Sequence, residues 1–156
     1  MKTVKRFLCA FSLTLLFCLS ASAQREKSAV LPASEAKRAT NQCSRPSPDK
    51  FTDTWQPSEA EIKEMESRFS QIKKLRVKEC CIQGEQIENP ERYYMQYVGI
   101  VAEGKRLIYI NAFAPIDANE GWKDNAVVIC DGGNAWGVLY DPKAKKFYDL
   151  AINGVG

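Results

Sequence analysis

Tyr93-Tyr94-Met95-Gln96-Tyr97-Val98-Gly99-Ile100-Val101-Ala102, then Glu103-Gly104, then Lys105-Arg106-Leu107-Ile108-Tyr109-Ile110-Asn111-Ala112-Phe113 is the stretch that decides the fold. Tyr93 to Ala102 and Arg106 to Phe113 are rich in aromatic and β-branched side chains, which suit a pleated, packed surface. Glu103-Gly104 between them reads as a tight turn, so the stretch predicts an antiparallel hairpin. Further on, Pro115 to Asp124 reads as a loop, Ala126 to Cys130 as a short strand, and Asp131-Gly132-Gly133-Asn134 as a turn. Ala135 to Tyr140 and Phe147 to Ile152 complete the pattern around Asp141-Pro142-Lys143, with proline at a favoured turn position.

On the other side of the hairpin, Ser58-Glu59-Ala60-Glu61 is a capping box. The serine oxygen can take the amide hydrogen of Glu61 while the Glu61 carboxylate reaches back. Ile62, Met65, Phe69 and Ile72 follow at helical spacing and fall on one stripe, which predicts a helix ending near Leu75. A single amphipathic helix must bury its stripe on another element. The expected fold is therefore α+β: one amphipathic helix packed on a four- to five-stranded antiparallel meander sheet.

Alternation along the strands then sorts side chains between faces. Val98, Ile100, Ile108, Ile110 and Leu150 make an aliphatic set suited to the underside of the helix. Tyr93, Met95, Tyr97, Tyr109, Asn111 and Phe113 make an aromatic set with polar tips. Two readings of the second set stand. It is a binding surface, since Tyr and Met are enriched in interface cores, or it is a second small core covered by Phe51 and Trp55. The first makes Tyr93, Tyr97, Tyr109 and Asn111, with Trp122 from the loop, the candidate binding residues.

The chain starts with Lys2, Lys5 and Arg6 ahead of an apolar run from Phe7 to Leu19, and then Ala21-Ser22-Ala23. A charged start, a short apolar stretch and a small-x-small site form a secretory signal. The run is shorter than the ~20 apolar residues of a membrane span. The expected organisation is a signal peptide over 1–23, a flexible polar lead-in over 24–56, and a single α+β domain over 57–156. The whole chain has 22 basic and 19 acidic residues. Without its three N-terminal cations it is balanced, so no basic block argues for nucleic acid.

Signal cleavage leaves Cys43, Cys80, Cys81 and Cys130. An even number in an exported protein favours disulfides. A bond between the adjacent Cys80 and Cys81 closes a strained ring. The expectation is thus two long-range bridges, Cys80 and Cys81 pairing with Cys130 and Cys43 in either order.

The chain contains no histidine. That excludes Ser-His and Cys-His nucleophilic sites and histidine-ligated zinc. Acid–base chemistry is left to carboxylates, for which Asp117, Glu120 and Asp131 are the candidates. No motif calls for a metal or other cofactor.

The segment Asp131-Gly132-Gly133-Asn134-Ala135-Trp136-Gly137-Val138-Leu139-Tyr140-Asp141-Pro142, followed by Phe147, Leu150 and Asn153-Gly154, resembles a pattern of small uncharacterised exported bacterial proteins. The resemblance runs from Tyr93 onward, implies a bacterial origin and carries no activity. The expected function is an exported, periplasmic or extracellular, non-catalytic binding or inhibitory module. Its partner would be another protein or an envelope component, met through the tyrosine face or the 115–124 loop. A carboxylate-dependent hydrolase and a structural envelope component are the alternatives.

Overall fold

The structure, a computed structural model, describes residues 26–46, 48, 50–78, 85–130 and 134–154. The proposed signal peptide lies outside the described residues.

The 93–113 stretch forms the expected hairpin, β3 (Tyr94–Ala102) and β4 (Lys105–Phe113). β5 (Ala135–Asp141) and β6 (Lys146–Ile152) continue it as an antiparallel meander. The turn between them is fastened by Asp141, whose Oδ1 accepts the amide hydrogens of Lys143 and Ala144, both at 2.8 Å.

Among the described residues the sheet nevertheless has six strands and is mixed. β1 (Ser28–Val30) pairs parallel to β3, and β2 (Asp53–Trp55) pairs antiparallel to the far half of the same edge. Both come from the segment expected to be a flexible lead-in. The described part of that segment also contains α1 (Ala36–Thr40). Strands of three residues are too short to show period-two patterning, so composition alone reads them as linker. Their effect is to cover the β3 edge, which would otherwise offer unpaired backbone groups. Gly99 lets β2 approach: a Cβ there would stand 2.2 Å from the Trp55 carbonyl oxygen. Arg106 stacks on the Trp55 ring, 3.7 Å from its centroid.

The helix forms as the capping box dictates. Ser58 caps α2 (Glu59–Glu66), with both reciprocal bonds present. The α-helix is shorter than expected: it ends at Glu66, and after a turn at Ser67 and Arg68 a separate 3₁₀ segment over Phe69–Lys74 carries the chain to Leu75. Ile62, Met65, Phe69 and Ile72 are all buried, in one cluster with Met95, Tyr97, Ile108, Ile110, Trp136, Val138 and Tyr140. The Ser58 hydrogen bonds hold the Glu61 carboxyl below its ordinary value, with Arg106 adding to the effect. A depressed carboxyl contributes stability above its unfolded value near 4.5, and that stability fades as pH falls through the folded value. Ser58→Ala should cost about 1 kcal/mol and make the acid limb of the stability–pH curve shallower. Urea titrations across that range check both; a variant as stable as the parent removes the cap from the account.

The opposite face of the sheet is also covered. Leu31, Ala36 and Ala39 pack on Val98, Ile100, Leu107, Tyr109 and Leu139, with Phe51 at the margin. The faces therefore sort differently from the expectation. Ala102 pairs with Lys105 across the two-residue turn, so an even-numbered residue on β3 meets an odd-numbered one on β4. Tyr97 shares a face with Ile110, and Val98 with Tyr109. The aromatic and aliphatic sets are interleaved, and each face buries part of both.

Candidate functional site

Of the five candidate binding residues, none forms an exposed tyrosine face. Tyr97 is 1% exposed in the helix-side core, and Tyr109 is 3% exposed on the other side. Asn111 and Trp122 are buried as well, and Tyr93 is half-buried, edge-on to Trp136 with centroids 5.6 Å apart. The set does not form one second core either: Met95 and Tyr97 pack under α2, with Tyr93 and Trp55 against the same cluster, Tyr109 packs under Leu31 and α1, and Phe113 packs with Trp122.

Four of the five nonetheless gather around one structure, the chain from Ala114 to Ile129 and its supports. Residues 126–130 were expected as a strand, but they join no ladder. Their backbone groups are taken by side chains instead. Gln96 and Asn111 face each other across β3 and β4, and both are fully buried. Gln96 Oε1 accepts from Val127 N–H at 2.9 Å, and Gln96 Nε2 donates to the carbonyls of Trp122 and Asn125 at 2.5 and 2.7 Å. Asn111 Nδ2 donates to Gln96 Oε1 and to the Val127 carbonyl, both at 2.9 Å. Gln42 accepts from Ile129 N–H and donates to the Val127 carbonyl. Asn153 Nδ2 donates to the Ile129 carbonyl, and Glu35 accepts from Ala126 N–H. Buried backbone groups must find partners, and amide side chains supply here what a neighbouring strand would supply elsewhere.

Arg45 sits at the centre. It is 5% exposed, and its guanidinium donates to the Tyr109 hydroxyl from Nε and Nη2, to Asn111 Oδ1 from Nη2 and to Asn153 Oδ1 from Nη1. These acceptors are neutral, and no carboxylate among the described residues pairs with it. Gly137 makes room: a Cβ there would lie 2.2 Å from the Tyr109 hydroxyl. Beside this network a disulfide joins Cys43 to Cys130, Cα atoms 4.5 Å apart. That pairing corrects both arrangements expected from the sequence. α1 folds back over the sheet and delivers Cys43 to the end of the 126–130 segment, a proximity that spacing does not reveal. Cys80 and Cys81 lie outside the described residues.

Beside these supports, Trp122 packs edge-to-face on both Tyr94 and Phe113, its ring centroid 5.0 Å from the first and 6.0 Å from the second. The loop turns at Gly121, whose φ of 89° lies in the left-handed region. Earlier in the same loop Pro115–Asp117 makes a 3₁₀ turn that leaves Ile116 91% exposed, and Ala118 after it packs against the cluster of Phe113 and Trp122. Tyr93 and Pro115 line a cavity of about 360 Å³ beside it, with Ile87, Asn89, Arg92 and Asn134.

The candidate carboxylates Asp117 and Glu120 lie in this loop, and Asp131 is outside the described residues. Among the described residues no group of three or more His, Cys, Asp or Glu is placed to hold a metal ion, and no helix is long and apolar enough to cross a membrane. One carboxylate elsewhere, Glu64, is held by a tyrosine and two cations. The buried Tyr140 hydroxyl donates to Glu64 Oε2, while Arg68 and Lys145 reach Glu64 Oε1 at 2.5 and 3.4 Å. Burial raises the Glu64 carboxyl, and the Tyr140 bond and the two cations outweigh it, leaving it below the usual range. Burial and the Glu64 carboxylate push the tyrosine up. The phenol thus stays protonated and serves as a fixed donor docking α2 on the sheet.

Fold and site together define a small α+β domain with a mixed six-stranded sheet covered on both faces and one braced loop. No family model, curated protein or solved structure matches the chain.

The amide supports were legible in the sequence in one respect only. Gln96 and Asn111 stand inside strongly apolar strands, and a polar side chain at such a position needs a buried partner. Arg45 and Gln42, in a polar segment, gave no such signal.

Proposed function

We propose that the protein is an exported, non-catalytic binding module that meets its partner through the Ala114–Asn125 loop. The observation that carries this reading is Ile116. It is the one large hydrophobic side chain fully exposed among the described residues; its turn is closed by the Asp117 and Ala118 amides on the Ala114 and Pro115 carbonyls, and the far end of the same loop, at Trp122 and Asn125, is held by Gln96. A loop ordered before binding loses little conformational entropy on association. Export is supported by the charged, apolar and small-x-small order of residues 1–23 and by the Cys43–Cys130 bridge, which suits an oxidising compartment.

Ile116→Glu should leave the unfolding midpoint almost unchanged, within about 0.5 kcal/mol, because the side chain is in solvent. A photo-crosslinking amino acid at position 116 should give a discrete adduct in the envelope fraction. The same group at Lys143, in the β5–β6 turn, should not. Matching patterns from both positions, or no adduct from 116, would refute the loop as the contact surface.

A further inference from the structure

β1 is the outermost strand on its side of the sheet. Met95 N–H donates to the Lys27 carbonyl at 2.8 Å and Leu31 N–H to the Tyr97 carbonyl at 2.9 Å. Those bonds turn the backbone groups of Lys27 and Leu31, and with them Ala29, toward β3. Alternation then turns the N–H and C=O of Ser28 and Val30 the other way. No strand among the described residues pairs with that outer side.

A cleft of about 330 Å³ opens next to it, between β1, Gln56-Pro57 and α2. Val30, Pro57 and Ile62 give it apolar wall, and Glu66 stands in it. Glu66 Oε1 accepts from the Tyr97 hydroxyl at 2.8 Å and from Ser28 Oγ at 3.2 Å. Tyr97 is almost wholly buried, so the carboxylate is held in place from within the core. Both bonds converge on one oxygen. No cation among the described residues pairs with Glu66; Lys63, the cation of the cleft, is 3.2 Å from Glu59 instead.

We propose that this cleft and the β1 edge bind an extended peptide segment whose lysine side chain enters the cleft and meets Glu66. An added strand would lie ~4.8 Å from β1 and take the Ser28 and Val30 backbone groups. A residue on its helix-facing side would point beside α2. A lysine there lays its aliphatic stem on Val30 and Ile62 and brings its ammonium to the other Glu66 oxygen, Oε2. The charge identifies the ligand class: a fixed carboxylate that no cation among the described residues pairs with, at the end of an apolar wall, complements an alkylammonium group. This site lies on the helix side of the sheet edge and does not depend on the role of the Ile116 loop.

The probe is the acetylated, amidated peptide Thr-Val-Lys-Val-Thr, titrated into the isotope-labelled, oxidised protein and followed by amide chemical shifts. Saturable shifts should centre on Ser28–Val30 and Tyr97. Norleucine in place of the peptide lysine should weaken binding roughly tenfold, the scale of one charge-assisted bond. Glu66→Gln should weaken the lysine peptide equally and remove the difference between the two peptides. N-methylating the peptide bonds beside the lysine should weaken binding again. Equal binding of the lysine and norleucine peptides would overturn the proposal, as would shifts confined to other regions or butylamine binding as tightly as the peptide. The peptide comparisons decide the matter even if Glu66→Gln fails to fold.

Discussion

Replacing both Cys43 and Cys130 by serine should lower stability by about 4–5 kcal/mol. The bridge closes a loop of 87 residues. In the chain-entropy model, a crosslink over a loop of that length restricts the unfolded ensemble by roughly 4.6 kcal/mol at room temperature. A domain of this size has a net stability of only about 5–15 kcal/mol, so the bridge decides whether the protein is folded with a safe margin. The native state has its own stake. Cys43 lies two residues from Arg45, and Cys130 follows Ile129, whose backbone is held by Gln42 and Asn153. Freeing these ends lets the 126–130 segment lift from its side-chain partners. Urea denaturation of the serine pair is the measurement, with Cys80 and Cys81 left as they are. The midpoint should fall and the slope should rise, because the unfolded chain exposes more surface without the crosslink. A loss below about 1 kcal/mol would mean that the loop is constrained in the unfolded state by other means.

Arg45→Ala should cost about 3 kcal/mol or more. The substitution strips donors from Tyr109, Asn111 and Asn153, all buried, and an unsatisfied buried group costs about 1–3 kcal/mol. Part of this is offset, because a buried cation whose partners among the described residues are all neutral is itself poorly compensated. Asn111 cannot simply rotate to recover, since its Nδ2 holds Gln96 and the Val127 carbonyl. Arg45→Lys separates shape from charge. A single ammonium cannot reach three acceptors spread around a planar fork, so lysine should recover less than half of the loss. The effects of Arg45→Ala and the cysteine pair should not add, because both release the same segment. Lysine matching arginine, or an alanine variant within 1 kcal/mol of the parent, would show that the network is carried by Gln96 and Asn111 alone.

The core of the fold was readable where local chemistry is decisive. The capping box at Ser58 and Glu61, the Ile62–Ile72 stripe and the Glu103-Gly104 turn each act over a few residues, and each appears as expected. The face assignment failed for a reason the sequence also contained. A two-residue turn pairs Ala102 with Lys105, which interleaves the odd side chains of one strand with the even side chains of the next. Carrying that parity across the hairpin would have separated Tyr97 from Tyr109.

Sequence alone thus determined the start of the helix, its apolar stripe, the antiparallel run of β3 to β6 and the exclusion of histidine chemistry, because periodicity, capping and composition are properties of short stretches; where the α-helix gives way to a 3₁₀ segment was not among them. Tertiary structure alone decided the rest. β1 and β2 are three residues each and exist only because β3 offers an edge. The Cys43–Cys130 bridge depends on α1 folding over the second face. The 126–130 segment is extended without being a strand because Gln96, Asn111, Gln42 and Asn153 satisfy its backbone. Each of these joins residues far apart in the chain, where the energy comes from a partner that no local pattern names.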